Sequence, residues 1–91
     1  MMTSTATALS GNFIQRIQTE KGSIEFSFLR KTTHASDKYF VLAMDKNFKA
    51  YWFSMETQGG KWVIIDSAKV PNWIGSIEAK LSEAILLNNL S

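Results

Sequence analysis

His34, Ser36 and Asp37 supply every residue type of a Ser-His-Asp triad within one short stretch, and His34 is the only histidine of the chain. Triad chemistry needs a nucleophile and a base brought together by a scaffold that fixes both. Three neighbours in one loop are poorly held, so the spacing predicts that Ser36 or Asp37 stabilises a turn instead. The other acids, Glu20, Glu25, Asp45, Glu56, Asp66, Glu78 and Glu83, are scattered over turns and polar positions. No pair of them is placed for acid/base exchange, and Glu25 lies opposite an apolar strand set, on a solvated face. Gly59 and Gly60 precede no helix and belong to no GxGxxG or Walker pattern, which makes them a hairpin turn and not a phosphate cradle. The chain has no cysteine, removing disulfides, thiolate zinc sites and cysteine nucleophiles. These residues predict a non-enzymatic protein with no cofactor and no metal.

The aromatic residues offer a different chemistry. The six Phe, three Trp and two Tyr all fall between Phe13 and Trp73, and several stand beside lysines: Lys38 by Tyr39, Lys49 by Tyr51, Lys61 by Trp62. Rings interleaved with cations on a sheet can stack the bases of a single strand, each worth about 1–3 kcal/mol. Rings are also enriched in strands because they pack well there, and lysines at strand ends guard edges and turns. Packing is the reading preferred here. Ten basic against eight acidic residues give a net charge of +2, too small a bias to require a polyanionic partner. Single-stranded nucleic-acid binding through Lys38, Lys49 and Lys61 stands as the alternative.

The elements that must position these residues follow from periodicity. Ninety-one residues make one domain that buries roughly 60–65% of its unfolded surface. An apolar content of 45% with 20% charged residues is that of a folded chain. Met1 to Asn12 shows no periodicity and is expected to be a loose tail, leaving 13–91 as the domain. It also lacks the basic start and apolar core of a secretory signal, and no apolar run reaches membrane-spanning length, so a soluble cytoplasmic protein is expected.

Strand one is expected over Phe13 to Gln18, with a turn at Gly22. A second strand follows in which Ile24, Phe26 and Phe28 alternate with Glu25, Ser27 and Leu29. Arg30 to Asp37 reads as the longest and most mobile loop. Strand three covers Lys38 to Met44, and Asp45, Lys46 and Asn47 form a hairpin link with Asn47 in the left-handed position. Strand four runs Phe48 to Glu56, Thr57 to Gly60 closes a tight hairpin, and strand five runs Lys61 to Ile65. One helix is expected from Pro71 to about Leu87, with Val70, Trp73, Ile74, Ile77, Leu81, Ala84 and Ile85 on one stripe. Leu86 and Leu87 lie off it. The expected fold is α+β: an antiparallel meander of four or five strands with one C-terminal amphipathic helix on one face. In element order alone this resembles the single-strand-binding sheets of the whirly type.

Strands three to five carry apolar residues on both alternating sets. A helix is about 10 Å across and strands lie about 4.8 Å apart, so one helix covers two or three strands on one face only. The remainder calls for a curled sheet, a second copy or another partner. A homodimer, or an unidentified protein partner, is expected at a sheet face or edge. Tyr39, Tyr51, Phe53, Met55 and Trp62 are the candidate surface, because rings and Met dominate interfaces. A small-ligand pocket between helix and sheet near Trp73 and Trp52 is a further candidate.

Overall fold

A computed structural model of the chain describes residues 12–32 and 37–89. Five strands, β1 (Phe13–Thr19), β2 (Gly22–Thr32), β3 (Asp37–Met44), β4 (Ala50–Gln58) and β5 (Lys61–Ile64), precede a 3-10 turn at Ser67–Lys69 and two helices, α1 (Asn72–Gly75) and α2 (Glu78–Asn89). The strands pair antiparallel in sequence order, the expected α+β meander.

Turn chemistry explains most strand boundaries. Gly22 takes φ 102° after β1, where Thr19 Oγ1 donates to the Gly22 carbonyl at 2.8 Å and accepts from the Lys21 amide at 3.0 Å. Gly59 and Gly60, at φ 62° and 85°, form the primed two-residue turn whose twist matches the strands it joins. The β3–β4 link differs from expectation. Its left-handed residue is Phe48, at φ 65°, and not Asn47, and β4 therefore starts at Ala50. The reason is the turn type: a three-residue hairpin loop places a type I turn first and the left-handed residue third.

The β2–β3 connection is shorter than expected, because β2 continues to Thr32 and Asp37 already pairs with it. Arg30 Nη2 donates to Asp37 Oδ2 at 2.9 Å across that pairing. His34 and Ser36 lie outside the described residues, as does the tail apart from Asn12, whose Oδ1 accepts from the Arg30 amide at 2.9 Å.

The single expected helix is two. Pro71 is the extended residue ahead of α1, not part of its first turn, and α1 ends at Gly75. Gly75 and Ser76 are weak helix formers, and Ser76 Oγ donates to the Trp73 carbonyl at 3.2 Å, competing for a helical acceptor. The apolar stripe survives the break: Trp73, Ile74, Ile77, Leu81 and Ile85 are all buried, with Val70 and Ala84 packed at its border.

α2 packs against both β5 and β1, the opposite edges of the sheet. Five flat strands would hold those edges roughly 20 Å apart, twice the width of a helix, so the sheet curls around α2. Phe26, Phe28, Tyr39, Val41 and Met55 line the inside of the curl and are fully buried with Ile74, Leu81 and Ile85. Each such side chain contributes about 1.5–3 kcal/mol. The helix also caps strand edges: the Trp62 amide donates to Ser82 Oγ at 2.9 Å, the Ile64 amide to Glu78 Oε2 at 2.8 Å, and Lys80 Nζ to the Gln18 carbonyl at 3.0 Å.

Candidate functional site

Strand register sorts the apolar residues of the sheet into two faces. Phe26 pairs with Ala43 and Phe28 with Val41; Val41 pairs with Phe53, Tyr39 with Met55, and Met55 with Ile64. All of these share the inner face. Four of the surface candidates, Tyr39, Phe53, Met55 and Trp62, are accordingly buried in the protein's own core. The fifth, Tyr51, is half-buried with its ring edge-on to Trp73 at 5.4 Å. The sequence expectation is thus corrected for those four, which are packed in the core, while Tyr51 keeps part of its surface.

The opposite set faces outward. Leu42 pairs with Ser27 on one side and Trp52 on the other, Ser27 pairs with Ile14, and Leu29 pairs with Phe40. Ile14, Leu29, Met44 and Trp52 are exposed, Trp52 by 65%, while Phe40 and Leu42 are half-buried between them. Phe48 stands 82% exposed at the hairpin beside this band. With a fully exposed large side chain at ~150–250 Å², the band offers on the order of 600 Å² of apolar surface.

Charged residues border the band at both ends. Lys31 pairs with Lys38, and Lys38 with Glu56, at one end; Arg16 pairs with Glu25 at the other. Lys38 Nζ lies 3.1 Å from Glu56 Oε2, and Lys31 Nζ sits 5.8 Å from the centre of the Phe40 ring. The outer face thus has an apolar centre and a charged border. Lys49, by contrast, lies 5.5 Å above the Tyr51 ring, roughly 23 Å along β4 from the Glu56 end where Lys38 and Lys61 stand. The three lysines of the nucleic-acid alternative therefore do not converge.

The β3–β4 hairpin is held by Asp45. Its Oδ1 accepts from the amides of Asn47 at 2.9 Å and Lys49 at 3.0 Å, its Oδ2 accepts from the Tyr51 hydroxyl at 3.2 Å, and its carbonyl accepts from the Phe48 amide at 3.0 Å. The Lys49 amide above all holds the Asp45 carboxyl below its ordinary pKa, against a smaller opposing effect of desolvation. Desolvation first, and the Asp45 carboxylate second, push the Tyr51 phenol up. Fixed in this way, Phe48 forms one wall of an open groove of about 410 Å³ shared with Arg16, Glu25, Leu42, Met44 and Lys46.

The pocket expected near Trp73 and Trp52 does not form as such. Trp73 is buried on the inner face against Phe26 and Tyr51, whereas Trp52 points outward and borders a notch of about 170 Å³ with Ser54, Ile65, Asp66, Lys69 and Val70. Among the described residues no group of three or more His, Cys, Asp or Glu could hold a metal ion, and no helix is long and apolar enough to cross a membrane. Set beside this geometry, no family model matches the chain, and no curated protein or solved structure matches it either.

Proposed function

We propose that the protein is a non-enzymatic interaction domain that associates with a second copy of itself through a face or edge of its sheet, with Trp52 in the contact. The observation that carries this reading is the 65% exposure of Trp52 in a band already bordered by Phe48, Met44 and Leu42. Contiguous apolar patches of this size are near the upper limit for soluble monomers, and rings and Met are the side chains that dominate interfaces. A stable pair buries about 800 Å² per partner, to which Trp52 and Phe48 bring the two most exposed rings. A two-fold pair is the commonest closed assembly and needs only one such surface. The absence of cysteine suits a reducing compartment such as the cytoplasm.

Absolute mass by light scattering on a sizing column tests the reading. A dimer of the 10.3 kDa chain is expected at micromolar concentration, insensitive to salt because the contact is apolar. Trp52→Ser is expected to weaken it by about 2 kcal/mol, roughly thirtyfold, with the fold intact. A monomer at every concentration overturns the reading. A single-stranded oligonucleotide bound tightly at low salt and released near physiological salt would instead support the nucleic-acid alternative.

A further inference from the structure

We infer that two copies join edge to edge through the first half of β4, antiparallel about a two-fold axis at Tyr51. The inference rests on the self-association proposed above and specifies its geometry. It begins from the direction of the β4 backbone. The Ile65 amide donates to the Ser54 carbonyl at 2.8 Å, so the backbone groups of Ser54 point away from β3. In an antiparallel ladder these directions alternate, and the N–H and C=O groups of Trp52 and Ala50 point the same way as those of Ser54.

β5 reaches only from Gln58 to Met55, and Ile65 extends that cover to Ser54. The chain then turns away at Asp66, with φ 57°. The 3-10 turn that follows closes its own bonds, Lys69 amide to Asp66 carbonyl and Val70 amide to Ser67 carbonyl. Among the described residues, no hydrogen bond from that side reaches the backbone of Ala50 or Trp52. The outer edge of β5, by contrast, is bonded by Ser82 and Glu78, and the β1 edge carries Arg16 at its middle and is tied to α2 by Lys80. An open stretch of edge is a template for another strand, and this fold closes or charges the others.

The register follows from which groups are free. A two-fold at Tyr51 sets Ala50 of each copy opposite Trp52 of the other, so both pairs exchange N–H···O bonds. An axis at Trp52 or Phe53 would call on Ser54, whose carbonyl Ile65 already occupies. The side chains agree with the Tyr51 register. The largest side chain of the outer face meets one of the smallest, the Trp52 ring lying over Ala50 of the partner copy. Phe48 of one copy comes towards Ser54 of the other, beside the notch lined by Trp52, Ile65 and Val70. A bulky residue held left-handed and 82% exposed is an outlier of the kind found at binding surfaces, and this pairing covers it.

Three variants test the geometry. Ala50→Pro removes a donor that points off the sheet, at the first residue of β4, and leaves the β3 ladder whole. Leu42→Glu charges the outer face two strands in from the β5 edge. Edge pairing predicts at least a tenfold loss of dimer for Ala50→Pro, with native circular dichroism, and a retained dimer for Leu42→Glu. The reverse pattern overturns the edge geometry and leaves self-association standing; a wild-type monomer overturns both. Tyr51→Cys places the only cysteine of the chain on the axis, where facing residues outside the hydrogen-bonded pairs have Cα atoms about 4.5 Å apart, within disulfide reach. Mild oxidation is expected to lock the dimer covalently, and its failure to do so while the variant remains dimeric overturns the register.

Discussion

The two faces of β3 and β4 are built from nearly the same residues and have opposite fates. Val41 and Phe53 face each other beneath the helices and are buried, while their neighbours Leu42 and Trp52 face each other in water. Apolarity does not distinguish the sets, so burial here is decided by which face the Trp73, Ile74, Ile77, Leu81 and Ile85 stripe lies against. The largest effect that sharpens this contrast comes from truncating one residue on each face. Phe28→Ala, inside the curl, is expected to cost about 3–5 kcal/mol and Leu42→Ala under about 1 kcal/mol. Urea unfolding of the two variants checks it. Similar losses would mean that the outer face is as enclosed as the inner one.

The strands, their order and the helical stripe were legible because each has a local cause: alternation in β2, the Gly59-Gly60 turn, and the three-and-four spacing around Leu81. Which face the helices cover is not legible in strands three to five, where both sets are apolar, though a signal exists in β2. Ile24, Phe26 and Phe28 mark the inner set of β2 beyond doubt, since Glu25 and Ser27 separate them. An even-length connection to β3 transfers that face to odd positions, Tyr39 and Val41, and the register of the two later hairpins carries it to Phe53, Met55 and Trp62. Parity followed from that strand places all five surface candidates on the inner face, four of them in the core and Tyr51 at its border. The open edge of β4 had no such signal, because it depends on where β5 stops and how the chain leaves Ile65. The break at Gly75 and Ser76 was weakly legible from propensity alone.

The two later hairpins extend the comparison. The β4–β5 turn spends glycine on its left-handed positions, whereas the β3–β4 turn holds Phe48 there. A left-handed conformation costs a non-glycine residue about 1–2 kcal/mol, partly offset in a glycine variant by the greater freedom of its unfolded chain. Phe48→Gly is therefore expected to stabilise the monomer by roughly 0.5–1 kcal/mol while weakening self-association severalfold. Gly60→Ala, at φ 85°, is expected to lose about 1 kcal/mol and leave association unchanged. If Phe48→Gly improved stability and left the dimer untouched, the strain at this turn would have no part in binding.

The smallest expected effect concerns Asp45, the residue that holds Phe48 in place. Its carboxyl titrates below the ordinary value of 3.8 because it accepts the Lys49 and Asn47 amides, and those bonds favour the charged form. In the unfolded chain the same group takes up its proton first as pH falls, so between the two values the unfolded state binds more protons and stability rises with pH. The contribution is fully present above the unfolded value and is lost as pH falls through the lower native one. Asp37, lowered chiefly by its hydrogen bond from Arg30 and then by Thr32, acts in the same direction at the β2–β3 end of the sheet. Asp45→Asn is expected to flatten part of the acid limb of a stability profile taken between about pH 2 and 6, and Asp37→Asn a separate part. Both groups are only partly buried, so the effects are modest and shrink with added salt. Loosening the Phe48 hairpin itself requires Asp45→Ala, which removes the acceptor of the Asn47 and Lys49 amides. Dimer mass measured at neutral pH therefore separates the two aspartates: it should fall for Asp45→Ala and hold for Asp37→Ala, because only the first lies against the β4 edge.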